Sequence, residues 1–181
     1  MRAVVSGMPY RDSAQTVQAG SEPQAALTRA RLDAANINPA TGLATDYLNR
    51  FNEAIMLLEL VSSCPDCRDD FLAWRPMSYR EHFEASNLKG RDLTIAAYED
   101  ADPTARAALD ALADTMSAVL ENTRVAMSCE MPPERAAALA ENAAGWLRPL
   151  IARAGAVING DRGALAAGAA TPQAAVDQLL R

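Results

Sequence analysis

Between Leu43 and Val61 the chain reads "LATDYLNRFNEAIMLLELV", with Leu43, Tyr47, Phe51, Ile55, Leu58 and Val61 at spacings of four and three. That period matches one face of an α-helix and fits no strand, whose apolar face repeats at every second residue. Leu48, Met56, Leu57 and Leu60 widen the apolar surface toward the far end. The helix is therefore predicted to be central and to touch neighbours on more than one side. A chain holding one such helix must bring other elements to cover it.

Alanine-rich segments supply that cover. Alanine recurs in runs such as "RAAALA", Arg135 to Ala140, while valine, isoleucine and aromatics are sparse. Alanine has the highest helix propensity and no side-chain entropy to lose, whereas strands draw on β-branched and aromatic residues. Caps and breakers then set the boundaries. Pro23 opens a first helix over "PQAALTRARLDAA", and "NINPATG" closes it. Pro65 ends the central helix, and Ser78 followed by Glu81 has the pattern of a capping box. Asp102–Pro103 restarts a helix whose stripe is Leu109, Leu112, Met116, Val119, Thr123 and Met127. Methionines such as Met56, Met116 and Met127 are expected to pack in the core.

Pro132–Pro133 begins another helix, with Leu139, Ala143, Trp146 or Leu147, Leu150, Ala154 and Val157 inward. Pro149 is expected to kink or divide it, and Asn159–Gly160 to stop it. Thr171–Pro172 caps a short last helix. The expected fold is all-α: a single-domain helical bundle of six to eight helices of mixed length over residues 22–181, after a flexible arm over 1–21. A chain of 181 residues suits one core and is slightly short for two.

The net charge of −6, with arginines scattered singly, argues against a nucleic-acid partner, which requires a basic face. No stretch has the roughly 18 uninterrupted apolar residues of a membrane span, and the first residues lack the apolar run of a secretory signal. With three cysteines, too few for a disulfide scaffold, the expected location is cytoplasmic with reduced thiols. Lys89 is the only lysine, a skew typical of a GC-rich, bacterial-like coding sequence.

The stretch "SSCPDCRDDFLAWRPMSYREHFEAS", residues 62–86, concentrates the chemistry-bearing residues, including the only histidine, His82. Cys64 and Cys67 have the C-x-x-C spacing of thiol redox sites, where one thiolate attacks and its partner closes the disulfide. Asp66 as a helix cap would leave only Cys67 in the first turn, and the βαβ context of such sites is missing. Cys64, Cys67, His82 and Cys129 add up to the four ligands of a structural zinc site, without a second paired motif to support it. Asp46, Asn49 and Glu53 share one helix face, and Tyr79 and His82 are predicted to point inward from the capped helix. If those faces meet, Asp46, Glu53, Tyr79 and His82 line a small-ligand pocket.

There is no phosphate loop, nucleophile elbow or Ser–His–Asp set. The leading expectation is a non-enzymatic bundle acting through a protein partner or its own copy, with no cofactor. A ligand- or metal-binding bundle centred on His82 is the alternative, and a thiol redox or zinc protein a further one. The 62–86 stretch itself is expected to be a helical corner in which Trp74, Tyr79 and Phe83 anchor the turn onto the central helix.

Overall fold

The computed structural model describes residues 29–168, and its regular elements are helical apart from one isolated bridge between Ile37 and Ala44. The expected arm over 1–21, the start of the first helix and the last helix over 172–180 lie outside the described residues. Residues 29–34 are helical and close at Asn36, which takes φ 54°, a left-handed conformation that asparagine tolerates better than most side chains. A 3₁₀ turn, Thr45–Leu48, leads into α1 (Asn49–Leu60), α2 (Pro65–Ala73), α3 (Tyr79–Ala85) and α4 (Arg91–Glu99). The two long helices α5 (Pro103–Ser128) and α6 (Pro133–Ile158) follow, then the short α7 (Arg162–Gly168). The fold is an all-α helical bundle, as the apolar spacing and the caps predict.

The long hairpin of α5 and α6 is the platform. Helix α1 lies along α6, α2 packs on α1 and reaches α5, α3 pairs with α4, and α7 closes against both long helices. Phe51 and Leu58 of α1, Leu109, Met116 and Leu120 of α5, and Leu147 and Ile158 of α6 are all fully buried. Many facing positions are alanine, as at Ala54, Ala105, Ala140, Ala143 and Ala154, which lets the helix backbones approach closely. The loop before α1 is pinned to this platform through Thr41. Its hydroxyl donates to the Ile158 carbonyl at 2.7 Å, and its own carbonyl accepts from the Asp102 amide at 3.1 Å. One buried threonine thus joins the end of α6 to the start of α5.

Three expectations need correction. Of the kink or division expected at Pro149, the division does not occur: α6 runs continuously through it. The amide that proline lacks would have bonded the carbonyl of Gly145, and Gly145 is exposed, so water can serve that carbonyl instead. Met56 is 52 % exposed rather than packed, while Met116 and Met127 are fully buried. The regular α-helix of the central segment starts only at Asn49, because Leu43 and Ala44 are extended and residues 45–48 form the 3₁₀ turn.

Candidate functional site

The corner over residues 62–86 forms as a sequence of stops and caps. Cys64, not Asp66, is the cap of α2; Pro65 takes the first helical position and Asp66 the second. The sequence signal was misjudged because aspartate is the better cap, whereas proline's fixed φ and missing amide favour the first position more strongly. Helix α3 has the complete capping box: the Ser78 hydroxyl accepts from the Glu81 amide while the Glu81 carboxylate accepts from the Ser78 amide at 2.7 Å. Aromatic rings hold the corner down as expected. Phe51 of α1 lies 5.6 Å from Tyr47 and 6.3 Å from Trp74 between ring centres, and Tyr79 sits against Tyr47, Phe83 and Tyr98.

The polar ends of these rings are occupied within the fold. Tyr79 Oη accepts from the Ala44 amide at 2.9 Å, and Tyr47 Oη donates to the Met77 carbonyl at 3.1 Å. Burial pushes Tyr47 up to about 12 and raises Tyr79 as well, so both phenols stay protonated across the neutral range. Tyr98 donates to both carboxylate oxygens of Asp110, at 2.7 and 2.8 Å, and burial lifts the Asp110 carboxyl above the usual carboxylate range. Arg50, buried over the Trp74 ring at 5.1 Å, donates to the Arg75 carbonyl. The sequence reading missed Tyr98, Asp110 and Arg50. Only Arg50 left a signal, one residue before an inward-facing aromatic on a helix otherwise poor in basic residues.

Of the four candidate ligand residues, three converge and one does not. The half-buried His82 ring stands 5.7 Å from Tyr47 and interacts with Asp46, while Tyr79 stacks on the other side of the same cluster. The Asp46 carboxylate accepts from Asn36 at 3.1 Å. Glu53 is exposed, and its charge acts on Arg50 rather than on His82. Burial lowers the His82 ring below its ordinary value, the Arg50 charge lowers it further, and the opposing pull of Asp46 does not reverse them.

A histidine with its folded pKa below its unfolded one contributes stability in full above the unfolded value, about 6.5, and loses it as pH falls below that point. An NMR titration of the ring is expected to give a midpoint below the ordinary 6.5. His82→Gln should flatten the loss of stability just under that pH. A midpoint above the ordinary value would mean that Asp46 dominates.

The cysteines fall into two places. Cys64 and Cys67 share the first turn of α2, whereas Cys129 is exposed at the end of α5, and His82 is held against Tyr47 and Phe83. Among the described residues no three His, Cys, Asp or Glu side chains are grouped as a metal ion requires. One cleft between α3 and α4 is lined by Arg80, Glu84, Arg91, Asp92 and Glu99, where Arg80 bridges Glu84 and Glu99 at 2.7 and 2.6 Å. All three of these bridging side chains are mostly exposed, so the pairs contribute little energy.

A different surface stands out on the long hairpin. Ala118, Asn122, Ala126 and Cys129 run down one flank of α5, and Ala138, Asn142, Trp146 and Pro149 run along the adjoining flank of α6. Both sets follow spacings of four, four and three, all eight residues are exposed, and none is charged. A groove lined by Ala126, Cys129, Ala138, Leu139 and Asn142 joins the two flanks, with the oppositely charged Glu130 and Arg135 also in its wall. Beside it Val125 is 54 % and Trp146 38 % exposed. On the opposite flank of α5 lie Arg106, Asp110, Glu121 and Arg124. The sequence reading left Trp146 and Leu147 as alternatives for the inward position, and the structure buries Leu147 and presents Trp146 outward. No helix among the described residues is long and apolar enough to cross a membrane. Comparison with protein-family models, curated proteins and solved structures gave no match.

Proposed function

We propose that the protein acts through protein–protein contact, with the face of α5 and α6 around Trp146 as its interface and a second copy of the chain as the occupant. The observation that carries this reading is the pairing of an exposed Trp146 with two helix flanks uncharged over Ala118–Cys129 and Ala138–Pro149, bordered by Asp114, Glu130 and Arg135. Exposed tryptophan surrounded by small apolar residues is the composition of an interface centre rather than of an ordinary solvated face.

One physical point favours a second copy. The chain carries a net charge of −6, so two copies repel through most of their surface and approach best where both are neutral. From Ala118 to Cys129 an α-helix rises about 16 Å, and two adjacent helices span about 18 Å, giving about 300 Å² per copy and about 600 Å² in all, the size of a weak, reversible contact. A two-fold arrangement would lay each Trp146 on the alanines of the other hairpin.

The test is sedimentation equilibrium over a wide concentration range. The parent is expected to pass reversibly from the mass of one chain to that of two, and Trp146→Glu or Ala138→Glu to remain at one, with circular dichroism unchanged. A mass of one chain at every concentration, or a dimer indifferent to both substitutions, would contradict the reading.

The convergence of Asp46, Tyr79 and His82 favours a second reading, a small-ligand site. It is weaker because both tyrosine hydroxyls there are already bonded to backbone, which leaves His82 to recognise a ligand.

A further inference from the structure

Cys64 and Cys67 occupy the cap and the third position of α2, a helix of nine residues. The Cys67 amide donates to the Cys64 carbonyl at 3.1 Å, which closes the first turn and leaves the two thiols within interaction range of each other. Their surroundings differ: Cys64 is partly exposed, while Cys67 is buried at 8 % exposure. The turn that carries them is fixed from below. Phe71, one helical turn after Cys67, is fully buried, and Arg68 donates to the carbonyls of Met127 and Cys129 at 2.5 and 3.1 Å, tying α2 to the end of α5.

We infer that Cys64 and Cys67 form a reversible dithiol–disulfide site, with Cys64 attacking and Cys67 resolving, whose substrate is a low-molecular-weight disulfide. The attacking position follows from access, because an incoming disulfide reaches the partly exposed sulfur and not the buried one. It follows also from the helix, whose free amides at the first turn favour negative charge on a sulfur at the cap.

The exchange balances in two steps. Cys64 gives up its proton, and its thiolate attacks one sulfur of the substrate. The substrate S–S bond breaks, a Cys64 mixed disulfide forms, and the other half leaves as a thiolate that takes up a proton. Cys67 then loses its proton and attacks the Cys64 sulfur. The mixed disulfide breaks, the Cys64–Cys67 bond forms, and the second half leaves as a thiol. Two protein thiols are oxidised and one disulfide is reduced to two thiols. The neighbouring Cys64 thiol, together with burial and the charges of Asp70 and Asp66, raises Cys67 above the ordinary thiol value.

The experiment equilibrates the full chain with graded ratios of oxidised to reduced glutathione, blocks free thiols with a maleimide, and locates them by mass spectrometry. Cys64 and Cys67 are expected to disappear together as one intramolecular link that dithiothreitol reverses, whereas the exposed Cys129 carries glutathione as a mixed disulfide or stays open to the maleimide. With oxidised glutathione alone, Cys67→Ser should accumulate a mixed disulfide at Cys64, and Cys64→Ser should react at position 67 roughly tenfold more slowly. Three free thiols at the most oxidising ratio, or links formed only through Cys129, would overturn the site. Equal rates in the two serine variants would overturn the assignment of roles. The wild-type measurement stands even if either variant misfolds.

Discussion

Phe51→Ala is expected to lower the stability of the fold by about 3–5 kcal/mol, and Leu58→Ala by about 2–5 kcal/mol. Both side chains are fully buried, Phe51 where α1 meets the aromatic corner and Leu58 beside α6. Removing either loses the transfer energy of the missing carbons and leaves a cavity that close-packed helices cannot refill. A domain of this size is held by only about 5–15 kcal/mol, so each substitution removes a large share of the total. Urea denaturation followed by circular dichroism measures it. Parent-like midpoints in both variants would place α1 at the periphery and reassign its apolar face to an interface.

The second large effect is expected at Gly42. Its φ is +75°, and a Cβ built there would come 2.8 Å from the Ala97 carbonyl oxygen and 3.0 Å from the Ala101 Cα. These are backbone atoms of the end of α4 and the junction to α5, so no side chain can swing aside. Left-handed strain of about 1 kcal/mol and overpacking of about 1–3 kcal/mol give an expected cost of about 2–4 kcal/mol for Gly42→Ala. Gly90 provides the control: its φ is +100°, but a Cβ there meets only the Ala35 Cβ, at 3.5 Å. Gly90→Ala should therefore show the strain alone, about 1 kcal/mol. Equal losses in thermal melts would mean that the Asn38–Gly42 turn is not wedged against α4.

The elements of the fold were legible because their signals are local. A capping box at Ser78 and Glu81, a cap and proline at Asp102–Pro103, and the proline pair before α6 each act within one helical turn. The aromatic corner was legible for a related reason, since Trp74, Tyr79 and Phe83 flank the breaks that force the chain to fold back. What resisted reading depends on which neighbours arrive. The stripe of α1 predicts that it buries Phe51 and Leu58, yet nothing in it says that α6 leaves Met56 and Leu60 uncovered. Trp146 and Leu147 are adjacent and both apolar, and only the position of α5 decides which turns inward. Thr41 tying Ile158 to Asp102, and Tyr98 reaching Asp110, are tertiary bonds between residues with no shared periodicity. The cap of α2 was misread by two residues, because aspartate is the stronger capping side chain and Asp66 stands beside Pro65, yet the helix begins at Pro65 with Cys64 as its cap.

The neutral face on α5 and α6 can be tested without altering the protein. Trp74 is buried and Trp146 is the more exposed of the two tryptophans, so iodide in dilute solution should quench chiefly Trp146. Fluorescence quenching by iodide is then followed from dilute to concentrated protein alongside the sedimentation mass. The quenchable signal is expected to fall over the same concentrations at which the mass rises from one chain to two, because each Trp146 becomes covered by the other copy. A mass that doubles while Trp146 stays fully quenchable would place the contact elsewhere, and a mass that never rises would remove the self-association altogether.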